Sequence, residues 1–423
     1  MFPCFSRKKF APECHARPCR SPVPAIAGGG AIPILPSMQP LPANSAHFLR
    51  SAFAAAFLFL IATPFSEAAD KTLDTKEVKI RAEVLADGLV HPWGLDFLPD
   101  GTVIVTERPG RVRLFSEGRL SDPLPGVPKV LAGSQGGLLD VALAKDFART
   151  GMLFLSFTQG GPSGGGTAVA RARLVRDDKG ARLKDTKIIF SVKKKTGTHQ
   201  YGSRIVVDRD GNLFVTTGDG GQPERAQDPF DGQGSVLHMT PDGAAAPGNP
   251  WPDGKKGLPQ IWSIGHRNID GAALDPATGK LWTVEHGAKG GDEINQPEAG
   301  KNYGWPIISY GTNYDGTKIG IGTAAPGYEQ PKFYWDPSIA PSGLAIYHGT
   351  MFPEWKGDLI VGALKFQLVS RLSRDASGKV TEVERMFKGA FGRIRDVNIA
   401  PDGSIWLLTD EDNGEIIRLS RAK

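Results

Sequence analysis

The protein has 423 residues, enough for one large domain or two of average size. Its 53 glycines and 33 prolines, and the scarcity of long amphipathic segments, favour an all-β protein rich in turns. The net charge of +5 comes mostly from residues 1–68, so the near-neutral remainder gives no indication of nucleic-acid binding. All three cysteines (Cys4, Cys14 and Cys19) lie there too, which excludes disulfides, thiolate metal sites and cysteine nucleophiles from the remainder.

Residues 1–69 have the composition of a disordered leader that contains a secretory signal peptide. Residues 1–45 are rich in Pro, Ala and Gly and show no hydrophobic period. A basic residue then precedes an apolar run over 52–62, and small residues follow. The run is shorter than the roughly 20 residues of a membrane-spanning helix, although a buried helix or a retained anchor is the alternative. We therefore predict cleavage near Ala68 or Ala69, a periplasmic or secreted protein, and no stable membrane span after cleavage.

Residues 70–423 are expected to form a single domain, because one hairpin pattern recurs along them. Each copy has an apolar strand, an Asp-Gly or similar turn, and a second apolar strand. The six copies cover 95–107, 140–158, 205–219, 272–286, 344–364 and 397–411. With a further strand candidate after each hairpin, this spacing predicts a six-bladed β-propeller of four-stranded antiparallel blades. A pair of β-sandwiches or a β-helix is the alternative. A strand at 78–86 is expected to close the ring by pairing with the last blade.

Basic side chains lie beside three of these hairpins rather than in them. They are Arg267, Lys365, Arg393 and Arg395. The loops at one mouth of a propeller channel build its site, so we expect these cations to converge there. Because unpaired buried charges are costly, such convergence indicates a ligand with several negative charges. For each cation alone, a solvated charge or an ordinary salt bridge is the alternative.

Two further features are candidates for metal binding and for proton transfer. Glu293 and Tyr303, with nearby main-chain carbonyls, are hard oxygen donors that suit Ca²⁺. The alternative is that Asp292 and Glu293 only cap turns. His199 lies in a loop just before a strand, and an imidazole at a channel mouth can act as a general base near neutral pH.

Six segments carry a family resemblance: HQYGSRIVVDRDG, GHRNIDGAALDP, EHGAKGGDEIN, GKNYGWP, GALK and RIRDV. Together they resemble the soluble pyrroloquinoline quinone (PQQ)-dependent aldose sugar dehydrogenases, which are related to soluble quinoprotein glucose dehydrogenase. The resemblance covers nearly all of the mature chain, and the family fold is a six-bladed propeller. It implies an enzyme that oxidises aldose sugars at C1 to lactones by hydride transfer to PQQ, with Ca²⁺ as Lewis acid. The electrons would leave to an external acceptor.

The resemblance also implies roles for individual residues. The implied cofactor contacts are Arg267, Asn268, Tyr314, Lys365, Arg393 and Arg395. The implied Ca²⁺ ligands are the carbonyls of Gly287 and Ala288 for an ion on PQQ, and Glu293 with Tyr303 for a second, structural ion. The implied catalytic residues are His199 as base, Arg267, Gln135 and Asp219.

The sequence departs from the family pattern at the base. The family's catalytic histidine lies four residues before the motif arginine, but four residues before Arg204 this chain has Gln200, and His199 lies five before. Glutamine cannot act as a general base, so either a one-residue bulge delivers His199 or the base is lost; we predict the bulge. Two other functions therefore stay open. One is a Ca²⁺-dependent sugar-lactone hydrolase, and the other is a non-catalytic binding propeller with a decayed site.

Overall fold

The computed structural model describes residues 71–194 and 197–423, which belong to one compact unit, Ser66–Lys423. The predicted leader and its signal peptide lie outside the described residues and stay a prediction. In the part that is described, no helix has the length and apolar character needed to cross a membrane.

The described residues form 25 strands in six antiparallel sheets, which confirms the predicted six-bladed β-propeller. Helical structure in them is limited to α1 (Phe147–Thr150) and two 3₁₀ turns, Pro223–Gln227 and Pro353–Trp355. Several central strands are buried along their whole length because neighbouring blades cover both faces, which explains their continuous apolar runs. The Asp-Gly turns between first and second strands place Gly101 and Gly211 at φ of 84° and 90°, a conformation that favours glycine.

The strands follow the chain blade by blade. Two strands precede the first blade, β1 (Lys71–Asp74) and β2 (Lys79–Leu89). Blade 1 consists of β3 (Pro92–Phe97), β4 (Val103–Glu107), β5 (Arg111–Ser116) and β6 (Arg119–Leu120). Blade 2 consists of β7 (Leu138–Leu143), β8 (Met152–Gly161), β9 (Gly164–Asp177) and β10 (Gly180–Ser191). Blade 3 consists of β11 (Ile205–Val207), β12 (Leu213–Thr216), β13 (Ser235–Met239) and β14 (Ile261–Ile264).

The second half of the ring repeats this order. Blade 4 consists of β15 (Ile269–Leu274), β16 (Leu281–Glu285), β17 (Asp292–Asn295) and β18 (Phe333–Trp335). Blade 5 consists of β19 (Pro341–Ile346), β20 (Leu359–Ala363), β21 (Leu368–Arg374) and β22 (Val380–Met386). Blade 6 consists of β23 (Ile394–Ile399), β24 (Ile405–Thr409), β25 (Gly414–Arg421) and β2.

The ring is closed by the amino-terminal strand. β2 pairs antiparallel with β25, in a register that sets Ile80 opposite Arg421 and Val84 opposite Ile417. This confirms the closure predicted for residues 78–86, and β1 adds a fifth strand outside β2. The first strands of successive blades contact one another all the way round, so these six strands surround the axis. Because they run in the same direction, the loops that precede them share one mouth.

A layer of paired charges fills the axis. Arg204 forms ion pairs with Asp140 at 2.8 Å and Asp396 at 3.0 Å, and its guanidinium lies 4.5 Å from the centre of a Trp93 ring. Arg395 pairs with two further aspartates. On the side where the inner strands end, a cavity of about 330 Å³ opens beside this layer. The charges therefore separate that cavity from the mouth formed by the loops before the inner strands.

The wall of this cavity contains a carboxyl group that makes stability depend on pH. Asp96 accepts hydrogen bonds from the N–H groups of Leu143 and Phe97, but burial outweighs them and raises its pKa to about 6. A folded-state pKa above the ordinary value means that the folded protein binds the proton more tightly than the unfolded chain. The stability associated with Asp96 is therefore full below about pH 4 and is lost as the pH rises through 6.

Asp96→Asn should remove this part of the pH dependence. The free energy of unfolding of the wild type minus that of the variant is expected to fall by up to about 3 kcal/mol between pH 4 and pH 7. Urea unfolding of both proteins at several pH values measures it, with the exposed Asp122→Asn as the control. A difference that stays constant across this range would contradict the assignment.

Candidate active site

A cavity of about 470 Å³ lies at the mouth where the inner strands begin. Its walls come from the loop before β11, the loop after β12, the loop before β15, the loop between β16 and β17, and the long insertion between β17 and β18. The predicted residues that line it are His199, Asp219, Arg267, Ala288 and Tyr314. Gln200, Trp305 and Lys318 line it as well.

The loop before β11 presents His199 to this cavity. The imidazole lies against Gly221, where a Cβ would stand 2.8 Å from Nε2, so the close approach requires glycine. The next residue, Gln200, has a left-handed backbone with φ of 59°, which is uncommon outside glycine. Its carbonyl accepts a hydrogen bond from the Gly220 N–H at 3.0 Å. This local irregularity lets His199 reach the cavity from five residues before Arg204, although its role as a base stays a prediction.

Gln135 holds this loop from the outside rather than lining the cavity. Its Oε1 accepts a hydrogen bond from the Gln200 N–H at 2.7 Å, and its own N–H donates to the Thr198 carbonyl at 3.3 Å. The structure therefore places Gln135 behind the loop that carries His199. A direct contact between Gln135 and substrate stays a prediction.

Asp219 is fully buried at the base of the cavity. One carboxylate oxygen accepts a hydrogen bond from the Gly221 N–H at 2.7 Å, and the other accepts one from the Trp305 indole N–H at 2.8 Å. Burial raises the pKa of this carboxyl, while these two donors and the charges of Arg267 and His199 lower it. The carboxylate is thus held among hydrogen-bond donors and lines the same cavity as Arg267 and His199.

Arg267 enters the cavity from the loop before β15. Its N–H donates to a carboxylate oxygen of Glu285 at 2.7 Å, and its guanidinium donates to the carbonyls of His286 and Gly287. The guanidinium also lies 5.3 Å from the centre of a Trp305 ring. Its Nε is buried and has no hydrogen-bond partner among the residues that the structure describes. A buried donor without a partner is costly, which is the property expected of a group that awaits a ligand.

Asn268 is placed beside the cavity, but its side chain is used inside the protein. Its Oδ1 accepts a hydrogen bond from the Gly202 N–H at 3.0 Å, and its amide donates to Asp270 at 2.9 Å. The residue is 3% exposed. Asn268 thus ties blade 3 to blade 4, and a contact with a quinone oxygen stays a prediction.

Two residues of the β17–β18 insertion reach the cavity rim. Tyr314 is 73% exposed and lines the cavity, where an aromatic face is open to a ligand. Lys318 also lines the cavity, and its ammonium donates to the Ile321 carbonyl at 2.9 Å.

The four cations predicted to converge do not form one unpaired cluster. Arg267 lines the cavity, whereas Lys365, Arg393 and Arg395 do not. Lys365 is exposed beside the β20–β21 turn, where its ammonium lies 5.1 Å from the Phe366 ring centre. Arg393 is half-buried.

Arg395 is neutralised inside the protein. Only 6% of the residue is exposed, and the guanidinium is paired with Asp270 at 3.3 Å and with Asp410. Arg393 also approaches Asp410, at 3.7 Å. Sequence reasoning missed these pairs because the aspartates lie far away along the chain or on a different strand. Cofactor contacts by Lys365, Arg393 and Arg395 stay predictions.

The loop that carries Gly287 and Ala288 is fixed by one carboxylate. Asp292 is fully buried and accepts hydrogen bonds from the Gly287 N–H at 2.8 Å and the Ser338 hydroxyl at 2.9 Å. Its other oxygen accepts the N–H groups of Ile339 and Ala340. Asp292 therefore does cap a turn, and it joins the Gly287 loop to the segment entering blade 5.

Glu293 and Tyr303 belong to one buried polar cluster outside this cavity. Burial and the nearby Glu285 raise the pKa of Glu293 to about 8. Glu285 accepts a hydrogen bond from His266 at 2.8 Å, and His266 stacks on Tyr303 with ring centres 4.7 Å apart. The Asn295 side-chain oxygen is buried here and has no hydrogen-bond partner in the described part of the chain. Within residues 71–194 and 197–423, no three His, Cys, Asp or Glu side chains are grouped as metal ligands.

Trp305 is a cavity residue that sequence reasoning missed, as is Lys318. Trp305 lies in the GKNYGWP segment, which was noted only for its resemblance. No charge or hydrophobic period marks it, because its contacts are with Asp219 and Arg267, which are 86 and 38 positions away. Of the signals in the sequence, only its place within that motif pointed to the site.

The fold and the cavity together define a six-bladed propeller with a histidine, a buried carboxylate and an arginine at one mouth. The chain belongs to the glucose / sorbosone dehydrogenase family, whose profile matches residues 89–418. It is 44% identical over 348 residues to the aldose sugar dehydrogenase YliI of Escherichia coli (strain K12), covering 81% of this chain and 93% of that protein. These matches confirm the family predicted from the sequence motifs.

Solved structures agree with this assignment. The soluble aldose sugar dehydrogenase of Escherichia coli in the apo form superposes with a TM-score of 0.78 at 43% identity, covering 81% of this chain and 100% of that one. The PQQ-bound aldose sugar dehydrogenase of Streptomyces coelicolor superposes with a TM-score of 0.66 at 29% identity, covering 81% and 99%.

Proposed function

We propose that this protein is a periplasmic or secreted aldose sugar dehydrogenase that uses PQQ and Ca²⁺ and oxidises its substrate at C1 to a lactone. The family and the aldose sugar dehydrogenases it resembles support the activity. The observation that carries the proposal is the cavity itself, where His199, Asp219 and Arg267 face one space. An external acceptor would take up the electrons that the sugar loses.

The residues of the cavity fit PQQ, a tricarboxylate quinone. The volume of about 470 Å³ is that of a small-molecule site, and its lining includes the cations Arg267 and Lys318. Among residues 71–194 and 197–423, the buried Nε of Arg267 has no hydrogen-bond partner, and an oxygen of the cofactor would supply one. Tyr314 would contact the cofactor at the rim. A solved relative binds PQQ.

The chain also offers oxygen donors for Ca²⁺ at two places. At the cavity, the carbonyls of Gly287 and Ala288 would hold an ion, and Asp292 fixes the first of these residues through its N–H. In the buried cluster, Glu293 lies close to Glu285, and the Asn295 oxygen has no hydrogen-bond partner within residues 71–194 and 197–423. A bound cation there would compensate the charge of the two carboxylates and supply that partner.

In the reaction, PQQ supplies the two-electron acceptor and Ca²⁺ the Lewis acid. His199 takes the proton of the sugar C1 hydroxyl as general base. Asp219 would stabilise the positive charge that the imidazole then carries, because both groups line the same cavity. Arg267 would bind the negatively charged cofactor and orient it in the cavity.

Reconstitution tests this function. Protein freed of metal and cofactor should reduce an artificial dye with aldoses only after both PQQ and Ca²⁺ are added. Arg267→Met should weaken PQQ affinity by roughly 10- to 100-fold, the range of a charged hydrogen bond, as measured by calorimetry. The exposed Arg149→Met, near α1, is the matched control. Absence of PQQ binding and of dye reduction would contradict the proposal.

The same experiment covers the alternatives. A lactone hydrolase needs metal-bound carboxylates on the axis, but the axial carboxylates Asp140 and Asp396 are paired with Arg204. Hydrolysis of a sugar lactone without PQQ would nevertheless favour it. PQQ binding without turnover of any aldose would favour a propeller whose site has decayed.

A further inference from the structure

Trp305 contacts the two charged groups of the candidate site at once. Its indole N–H donates to the Asp219 carboxylate at 2.8 Å. Its ring lies under the Arg267 guanidinium, with 5.3 Å between the guanidinium carbon and the ring centre. Asp219 belongs to blade 3 and Arg267 to blade 4, so this one side chain connects residues from two blades.

The backbone around Trp305 is fixed from both sides. The Trp305 N–H donates to the Gly265 carbonyl at 2.9 Å, and its carbonyl accepts from the Gln227 side-chain amide at 2.7 Å. Gln227 and Asn302 also exchange a pair of amide hydrogen bonds at 2.8 and 3.1 Å. The main chain of Trp305 is thus held by blade 3 as well as by its own insertion, and the indole N–H bond to Asp219 orients the ring.

We propose that Trp305 is a positioning residue of the active site: its N–H fixes the Asp219 carboxylate, and its ring face fixes the Arg267 guanidinium. The inference rests on the proposed dehydrogenase function. The Asp219 and Arg267 main chains are also joined, by a hydrogen bond of 2.8 Å from the Asp219 N–H to the Arg267 carbonyl. Trp305 adds a link between the side chains. It keeps the Asp219 carboxylate, which faces His199, and the Arg267 guanidinium, which faces the cofactor, in a fixed relative position.

The charges around Asp219 set the direction of the expected effect. The groups that act on it are Arg267 and His199, while the neighbouring Arg225 is paired with Asp231. The indole N–H stabilises the ionised carboxylate, and burial opposes ionisation. Loss of that N–H therefore raises the pKa of Asp219, and the protonated form persists to higher pH.

Trp305→Phe keeps an aromatic ring over Arg267 and removes the N–H. In the enzyme loaded with PQQ and Ca²⁺, we expect kcat/KM to fall by roughly 10- to 100-fold. The acid limb of its pH profile should move up by about one pH unit. PQQ affinity should change by less than about threefold, because the ring remains. Trp262→Phe is the matched control: its indole donates to the Pro297 carbonyl at 3.1 Å, away from the cavity.

A second measurement needs neither cofactor nor turnover. The tryptophan fluorescence of the unloaded full-length protein should show a pH-dependent step that Asp219→Asn and Trp305→Phe both abolish and Trp262→Phe keeps. A wild-type step that Asp219→Asn leaves in place would overturn the contact. So would an unchanged kcat/KM in Trp305→Phe, or a fall with an unmoved acid limb, which is the mark of a merely structural role. Inactive wild-type protein would contradict the dehydrogenase function, whereas the fluorescence step still tests the contact.

Discussion

Replacing His199 with alanine is expected to lower kcat of the PQQ- and Ca²⁺-loaded enzyme by a factor on the order of 10²–10⁴, the usual contribution of a general base. The expectation follows from the position of the imidazole. It lines the cavity with Asp219 and Arg267, and it packs closely on Gly221. KM for the sugar should change much less, because the lost proton acceptor acts in the transition state.

A variant of Gln200 tests whether the residue four positions before Arg204 is needed for catalysis, or His199, which lies five positions before it. Gln200 occupies the position at which the family pattern has histidine, but an amide cannot accept the proton. Its backbone is left-handed with φ of 59°, so Gln200→Gly should fold without strain. We expect this variant to keep kcat within about tenfold of the wild type. Full activity in His199→Ala together with loss of activity in Gln200→Gly would contradict the assignment of the base.

Replacing Arg204 with leucine should destabilise the fold by about 3–5 kcal/mol, because it leaves two buried carboxylates without their cation. Arg204 is 7% exposed and pairs with Asp140 and Asp396. Burial already raises the pKa of Asp140 to about 7, and the charge of Arg204 opposes that rise. Without the arginine, the pKa of Asp140 moves higher still. The cost of the substitution should therefore be smaller at pH 5, where the carboxyl is protonated, than at pH 8.

Denaturant unfolding at the two pH values measures this effect. The matched control is Arg176→Leu, which breaks the exposed pair with Asp100 at 2.6 Å and should cost no more than about 1 kcal/mol. An Arg204→Leu protein as stable as the control variant, or one destabilised equally at pH 5 and pH 8, would contradict the role given to the axial charges.

The fold followed from local sequence signals. Asp-Gly or similar turns between apolar runs are short-range features, and six such hairpins at blade-like spacing were enough to predict the propeller. Ring closure by β2 was also predictable, because a strand preceding the first repeat had no other partner. Placement of His199, Asp219, Arg267 and Tyr314 at one cavity followed from the family motifs.

The partners of the charged side chains did not follow from the sequence. Arg395 was expected to face a ligand, but it is paired with Asp270, which lies 125 positions earlier in the chain. Gln135 was expected near substrate, but it holds the Gln200 backbone 65 positions away. Such pairs depend on the relative positions of the blades, which neither the hydrophobic period nor the spacing of the motifs predicts. The contacts of Trp305 were missed for the same reason.

Anaerobic single-turnover spectroscopy tests the central claim most directly. Protein reconstituted with one equivalent of PQQ and with Ca²⁺ is mixed with an aldose, and the absorbance of the oxidised cofactor is followed without any added acceptor. We expect the absorbance to change to that of the reduced cofactor, with one lactone formed per PQQ. In His199→Ala the same change should be slower by a factor on the order of 10²–10⁴. An unchanged cofactor spectrum in the wild type across a panel of aldoses would contradict the account.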